Sequence, residues 1–270
     1  MTSIDELWRY DGKRVVVTGC ASGIGASLAR QLRELGAEVV GLDLVPPSVE
    51  IEEFHHVDMA DSAAIERAAA AVGPRVDSLF NVAGVSSGIG NPLRVVTINF
   101  LGLRQFTEAL APRMQAGATI ASVSSLAAAS YRENQDSVRG LLETTDMAEG
   151  VLWCERNPDA LADGGYRLSK EAIILYTMAN AAKLGARGVR INCTGPGVTE
   201  TPILDQLRTA YGSEYLDDIP KPLGRVSDPS EQAAVLVFLN SAVASYVTGQ
   251  VLWVDGGNVA GRITAGTTSP

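Results

Sequence analysis

Short apolar, β-branched runs alternate along this chain with longer segments whose apolar residues recur every three to four positions. The runs Arg14–Thr18, Glu38–Leu42, Phe54–Val57, Asp77–Asn81, Ala118–Val123, Arg190–Cys193 and Gln250–Val254 predict strands. Between the first two, Ile24, Leu28, Leu32 and Leu35 share one helical face, and Gly36 ends that helix. Asp61 to Val72 predicts a second amphipathic helix, and Asn91-Pro92 opens a third. Asp228-Pro-Ser-Glu231 is a capping box with proline at the first helical position, so a further helix starts there. Strands separated by helices imply a doubly wound parallel sheet with helices on both faces, an α/β architecture whose ligands bind beyond the C-terminal strand ends. No Pro, Gly or Ser-rich linker divides residues 1–270, so one domain is expected.

Composition narrows the classes. With 46% apolar residues the chain can bury one large core. Its N-terminus is too polar for a signal peptide, and no apolar run approaches the ~20 residues that span a bilayer, so a soluble, cytoplasmic protein is expected. The three cysteines, Cys20, Cys154 and Cys193, are far apart, which argues for structural thiols in a reducing compartment. A net charge of -9 argues against a nucleic-acid partner. Adjacent His55 and His56 would point to opposite faces of a strand, so no metal site is expected.

The first candidate chemistry is the turn Thr18-Gly19-Cys20-Ala21-Ser22-Gly23-Ile24-Gly25, which joins the first strand to the first helix. Glycines at this spacing let the backbone approach a pyrophosphate, and the helix N-terminus offers free N–H groups to an anion. Gly19, Ser22, Gly23, Ile24 and Gly25 are therefore candidate cofactor contacts, and the fold takes the Rossmann form. Asp43 follows 24 residues after Gly19, at the end of the second strand, where a carboxylate can bind both hydroxyls of an adenosine ribose. It would repel a 2'-phosphate, and no Lys or Arg occurs between Arg33 and Arg67, so NAD is expected rather than NADP. Asp58, with Met59 beside it, is a weaker candidate for the adenine. The turn Val82-Ala83-Gly84 after Asn81 can also run close to the cofactor.

The second is Tyr166-Arg-Leu-Ser-Lys170, which puts a phenol and an ammonium on one helical face. A tyrosine titrates near pH ~10 and needs a neighbouring positive charge to act as a base at neutral pH. Taken alone, such a pair is more often a surface contact. Thr18-Gly-x-x-x-Gly-x-Gly25, Asn81-Val-Ala-Gly84, Asn99 in Thr97-Ile-Asn-Phe-Leu-Gly102, and Tyr166-x-x-x-Lys170 together resemble the short-chain dehydrogenase/reductase family, as do Ser124-Ser125, Gly195-Pro196-Gly197 and Val254-Asp-Gly-Gly257. Val82 departs from it, since the family commonly has a second Asn there. The resemblance implies hydride transfer with Tyr166 as general acid/base, Lys170 lowering its pKa and holding the nicotinamide ribose, and Ser125 stabilising the substrate oxygen. It also implies that Asn99 helps hold a water linking Lys170 to solvent, and that Asn81, Ala83, Gly84, Pro196, Gly197, Thr199 and Thr201 contact the cofactor.

Ser125 precedes Tyr166 by 41 residues, far more than is usual in the family. The insertion spans about 126–163, and Val138, Leu141, Leu142, Thr145, Ala148 and Leu152 predict one amphipathic helix from about Ser137 to Glu155. It is similar to the insertion of the bacterial 3α-hydroxysteroid dehydrogenase/carbonyl reductase branch of the family, as are Thr199-Glu-Thr-Pro202 and Ser245-Tyr-Val-Thr-Gly249. It serves either as a pocket wall, with Tyr131, Trp153 and Tyr211 as candidate substrate contacts, or as an interface element. About 198–225 looks like a substrate lid, and the tail after Gly261 looks frayed. The expected activity is NAD-dependent dehydrogenation of a secondary alcohol, or ketone reduction, on a steroid, terpenoid or aryl skeleton. The alternatives are a catalytically silent NAD-binding regulator and a sugar-nucleotide epimerase. A homodimer or homotetramer is expected, with a small-molecule substrate and no membrane partner.

Overall fold

The computed structural model describes residues 3–265. Helix α1 (Ile4–Trp8) leads into β1 (Arg14–Thr18), α2 (Gly23–Glu34), β2 (Glu38–Asp43), β3 (Glu53–His56), α3 (Ser62–Ala71) and β4 (Ser78–Asn81). The chain continues through α4 (Pro92–Val96), α5 (Leu103–Leu110), β5 (Thr119–Val123), α6 (Gln135–Leu142), α7 (Met147–Arg156), α8 (Tyr166–Gly185) and β6 (Arg190–Pro196). It closes with α9 (Pro202–Tyr211), α10 (Ser213–Asp217), α11 (Pro229–Asn240), β7 (Val251–Val254) and α12 (Asn258–Ala265). The strands form one parallel sheet in the order β3-β2-β1-β4-β5-β6-β7.

Alternation along the strands divides the core in two. Val15 and Val17 face α2 and α11, packing with Leu28, Leu32 and Leu236, whereas Val16 faces the opposite layer with Ile65, Phe106 and Ile173. The order reverses between β1 and β4, which opens a crevice at the C-terminal strand ends. Two expected boundaries move. Strand β6 runs on to Pro196, past the predicted end at Cys193. A Cβ on Gly195 would lie 2.1 Å from the Trp253 ring, so glycine leaves room for that ring against β6 while pairing continues to Val254. The tail is helical through Ala265, because Asp255 accepts from the backbone N–H groups of Gly257 and Val259 and so fixes the start of α12. Residues 266–270 lie outside the described residues. Among those described, no helix is long and apolar enough to cross a membrane.

The insertion is two helices rather than one. Asp146 caps α7 by accepting from Glu149 N at 2.8 Å, and Glu149 returns a carboxylate to Thr145 N and Oγ1 at 2.6 and 2.8 Å. The predicted stripe fails accordingly: Thr145, Ala148 and Leu152 are exposed, while Val138, Leu141, Met147, Gly150 and Cys154 are buried. Arg104 of α5 pins the pair. Only 3% exposed, it donates to the Thr144 and Asp146 carbonyls at 2.7 and 2.8 Å and to Thr144 Oγ1 at 3.0 Å. These contacts serve carbonyls that the break between helices leaves without intrahelical partners. Arg104→Ala is expected to lower stability by about 3 kcal/mol, because it deletes several charge-assisted bonds and strands buried carbonyls. A urea transition whose midpoint is unchanged by the substitution would show that the insertion holds without this anchor.

Candidate active site

The Gly-rich turn and the β4 turn meet at the crevice. Thr18 Oγ1 accepts from the N–H groups of Val82 and Ala83, both at 3.1 Å, and stitches the two strand ends together. Gly19, at φ 72°, lies so close to the second turn that a Cβ there would fall 2.7 Å from the Ala83 backbone. A Cβ on Gly25 would fall 1.9 Å from the Gly19 carbonyl oxygen, so glycine is required where α2 crosses the turn. Ser22, at the N-cap of α2, makes no side-chain capping bond, and the first-turn N–H groups therefore lack that intrinsic acceptor.

Asp43 stands beside this turn. Its Oδ2 accepts from Ala21 N at 2.9 Å and its Oδ1 from Leu44 N at 2.7 Å, so two backbone donors hold the carboxylate in one orientation. The nearest preceding cation in sequence, Arg33, is engaged with Glu50 and Glu52. Asp58 accepts from Ala60 N at 2.8 Å and pairs with Arg94 at 2.9 Å. Met59 is buried, and its side chain belongs to the core cluster. Asn81 is 1% exposed and donates to Thr107 Oγ1 and Ser122 Oγ, so its side chain braces the sheet and only its main chain can face a ligand.

Tyr166 opens α8 directly after two left-handed glycines, Gly164 and Gly165. One turn on, Lys170 is 4% exposed, with Nζ 5.6 Å from the Tyr166 ring centroid and donating to the Val123 carbonyl at 3.0 Å. Burial pulls the Lys170 pKa down to about 8. The paired serines separate clearly. Ser124 is buried and donates to the Lys170 carbonyl at 2.7 Å, a structural contact. Ser125 is half-buried and accepts from Ala127 N at 3.2 Å, which leaves its own O–H as a donor for a substrate oxygen.

Asn99 lies in a π-helical turn, Thr97–Gly102, that joins α4 to α5. Its side chain is fully engaged: Oδ1 accepts from Val85 N, and Nδ2 donates to Val85 O and Ser169 Oγ. A water linking Lys170 to solvent would therefore have to be held by the Asn99 main chain. Gly84 touches both groups, since a Cβ there would lie 3.2 Å from Asn99 Oδ1 and 3.4 Å from Lys170 Nζ. Gly197 N donates to Val254 O, which places the Pro196-Gly197 turn over the β7 end. The Thr199 hydroxyl is tied to Gly197 O and Ser227 Oγ, so only its backbone is available to a ligand. Thr201 reaches the Gly-rich turn: a Cβ on Gly23 would lie 3.1 Å from Thr201 Cγ2.

Two expected substrate contacts are elsewhere. Tyr131 is 5% exposed and belongs to the core beneath the insertion, with its hydroxyl accepting from Arg132 Nε. Trp153 packs over Gly140, where a Cβ would lie 2.4 Å from the indole nitrogen, so it joins α7 to α6. Tyr131 thus packs the insertion onto the core, and Trp153 holds its two helices together. Tyr211, at the end of α9, is 48% exposed. The sequence reading missed the contact that ties α9 to the segment after β4, Ser86 Oγ donating to Gln206 Oε1 at 3.2 Å, for which no local pattern exists. The segment 198–225, expected as a substrate lid, contains two helices, α9 and α10. The three cysteines are buried and free, and burial pushes Cys20 and Cys193 up to about 12 and Cys154 to about 11, as inert thiols require.

A dinucleotide crevice beside a Ser125, Tyr166 and Lys170 cluster defines an oxidoreductase that acts on alcohols or carbonyls. The chain belongs to the short-chain dehydrogenase/reductase family. Residues 13–137 match the short chain dehydrogenase model and residues 160–258 the enoyl-(acyl carrier protein) reductase model. It is 35% identical to a coniferyl-alcohol dehydrogenase of Pseudomonas sp. (strain HR199), over 91% of this chain and 96% of that one. It is 32% identical to the 3-alpha-hydroxysteroid dehydrogenase/carbonyl reductase of Comamonas testosteroni, over 90% and 95%. The crystal structure of a 3-alpha-hydroxysteroid dehydrogenase from Pseudomonas sp. B-0831, complexed with NADH, superposes with a TM-score of 0.80 at 31% identity, covering 94% of this chain and 99% of that one.

Proposed function

We propose that this protein interconverts an alcohol and its carbonyl on a bulky, mostly apolar skeleton, using NAD(H) rather than NADP(H). The observation that carries the cofactor preference is the Asp43 carboxylate, oriented by the Ala21 and Leu44 N–H groups beside the Gly-rich turn. Held there, it accepts from ribose hydroxyls and repels a 2'-phosphate. The crevice suits the whole cofactor: α2 offers N–H groups to the pyrophosphate, and the Pro196-Gly197 turn and Thr201 flank the nicotinamide end. When bound, the nicotinamide accepts or delivers a hydride at the substrate carbon. Tyr166 moves the proton at the substrate oxygen, and Ser125 donates a hydrogen bond to that oxygen as charge develops. Lys170 supplies positive charge next to the Tyr166 ring, favouring the phenolate. The substrate class rests on the relatives, whose names specify coniferyl alcohol and a 3-alpha-hydroxysteroid.

Steady-state rates with NAD and NADP test the reading. The wild type is expected to favour NAD in kcat/KM, and Asp43→Ala is expected to lose about 10- to 100-fold with NAD while losing little with NADP, the worth of a charge-assisted hydrogen bond. A wild type that turns over faster with NADP would overturn it.

A further inference from the structure

Two bonds fix Lys170 to the end of β5: its Nζ donates to Val123 O at 3.0 Å, and its carbonyl accepts from Ser124 Oγ at 2.7 Å. Tyr166 lies one turn nearer the helix start, directly after Gly164 and Gly165, both in the left-handed region. Gly165 occupies the N-cap and has no side chain with which to cap α8. A helix that begins this way frays at its first turn unless neighbouring groups hold it. The position of the phenol therefore depends on what surrounds that turn.

Three charged side chains form a ladder across it. Asp163 Oδ1 accepts from Gly165 N at 3.2 Å, and its Oδ2 pairs with Arg167 Nε at 2.7 Å. Arg167 Nη1 in turn donates to Glu171 Oε2 at 3.2 Å, so both ion pairs have the i,i+4 spacing that brings side chains together on a helix. Glu171 Oε1 accepts from Nδ2 of Asn134, the N-cap residue of α6, at 2.6 Å. Asn134 belongs to the first part of the insertion and Asp163 to its end, so both parts converge on the first two turns of the helix that carries Tyr166 and Lys170. Glu171 is fully buried, whereas the Arg167 and Asp163 side chains keep 32% of their exposure. Burying a carboxylate is costly, and such a pair often stabilises a fold less than apolar side chains of the same volume.

We infer that Glu171 is a positioning residue for the reaction: through Arg167 and Asp163 it holds the first turn of α8 so that the Tyr166 phenol stays beside Lys170. This rests on the reading of Tyr166 as the proton-transfer group. Successive helical residues point ~100° apart, so Glu171 lies on another face of α8 from Lys170 and acts by geometry without touching the reacting atoms.

Ultraviolet difference titration of the phenolate band, each protein measured against its own Tyr166→Phe counterpart, isolates the Tyr166 phenol without any substrate. Glu171→Gln keeps the side chain's size and lets the amide oxygen accept from Asn134, but its N–H groups cannot accept from Arg167. A phenol released from its place beside Lys170 is expected to ionise about one pH unit higher than in the wild type. Loss of a negative charge alone would move the midpoint down, so the sign of the shift separates position from charge. An unchanged or lowered midpoint would overturn the inference. Asp163→Asn, at the more exposed end of the ladder, is expected to raise the midpoint likewise and serves if the Gln variant does not fold. In steady-state assays with NAD and benzyl alcohol or cyclohexanol, Glu171→Gln is expected to lower kcat about 10- to 100-fold and to leave the KM for NAD within about twofold, because a displaced reacting group costs rate rather than binding. A loss confined to the KM for NAD would also overturn it. If no alcohol turns over with NAD, the proposed function fails, while the titration still decides what the ladder does.

Discussion

Tyr166→Phe is expected to lower kcat by about 10³-fold while leaving NADH affinity nearly unchanged. The substitution deletes one oxygen, and the ring that lies 5.6 Å from Lys170 Nζ remains in place. The described neighbours are poor substitutes: an aliphatic alcohol such as Ser125 is a far weaker acid than a phenol, and Lys170 is buried with its ammonium on Val123 O. The residual rate should therefore reflect binding and the Ser125 hydrogen bond alone. Single-turnover absorbance at the reduced-nicotinamide band separates the chemical step from product release, and fluorescence titration gives the NADH affinity. Should the Phe variant keep more than a tenth of the wild-type single-turnover rate, the proton would be travelling by another route. Weakened NADH binding with an unchanged chemical step would make Tyr166 a cofactor contact only.

Much of this site was legible in the chain because its determinants are local. The Gly-rich turn, Asp43 and the Tyr166 and Lys170 pair each lie within one turn or one βα unit, where spacing fixes geometry. The capping box at Asp228 formed as its pattern requires, with Asp228 N donating to Glu231 Oε2 at 2.8 Å. The same pattern, Asp146-Met-Ala-Glu149, interrupts the insertion, and weighing apolar periodicity above that cap produced one helix where there are two. Tyr131 and Trp153 were misplaced for a different reason. An aromatic residue near an active site in sequence can face the pocket or the core, and Gly140, which makes room for the Trp153 ring, carries no such signal by itself. Arg104 shows the limit most clearly: its carbonyl partners lie 37 to 42 residues along the chain and are free to accept because the helix breaks there.

The second large effect couples catalysis to stability. Lys170→Met is expected to abolish most turnover and yet to stabilise the cofactor-free protein at pH 7. Burial depresses the lysine from its ordinary value of 10.5 to about 8, and that difference corresponds to about 3 kcal/mol of penalty on the charged form in the fold. The unfolded chain keeps the proton up to its ordinary pKa, whereas the folded chain releases it near 8. Between those values the unfolded state binds more protons, so the wild type gains stability as pH rises. The penalty is present in full below about pH 8 and disappears toward 10.5. The Met variant carries none of it, less about 1 kcal/mol for the donor lost to Val123 O. Its advantage should therefore be largest from pH 6 to 8 and shrink steadily above 8. Urea unfolding of both proteins across this range gives the difference directly, and titrations common to the two cancel. A difference that does not vary with pH would mean that Lys170 changes no protonation on folding. A wild type more stable than the variant at pH 7 would mean that the hydrogen bond outweighs the buried charge. The expected result would instead show that this fold retains a destabilising ammonium because the phenol beside it needs the charge.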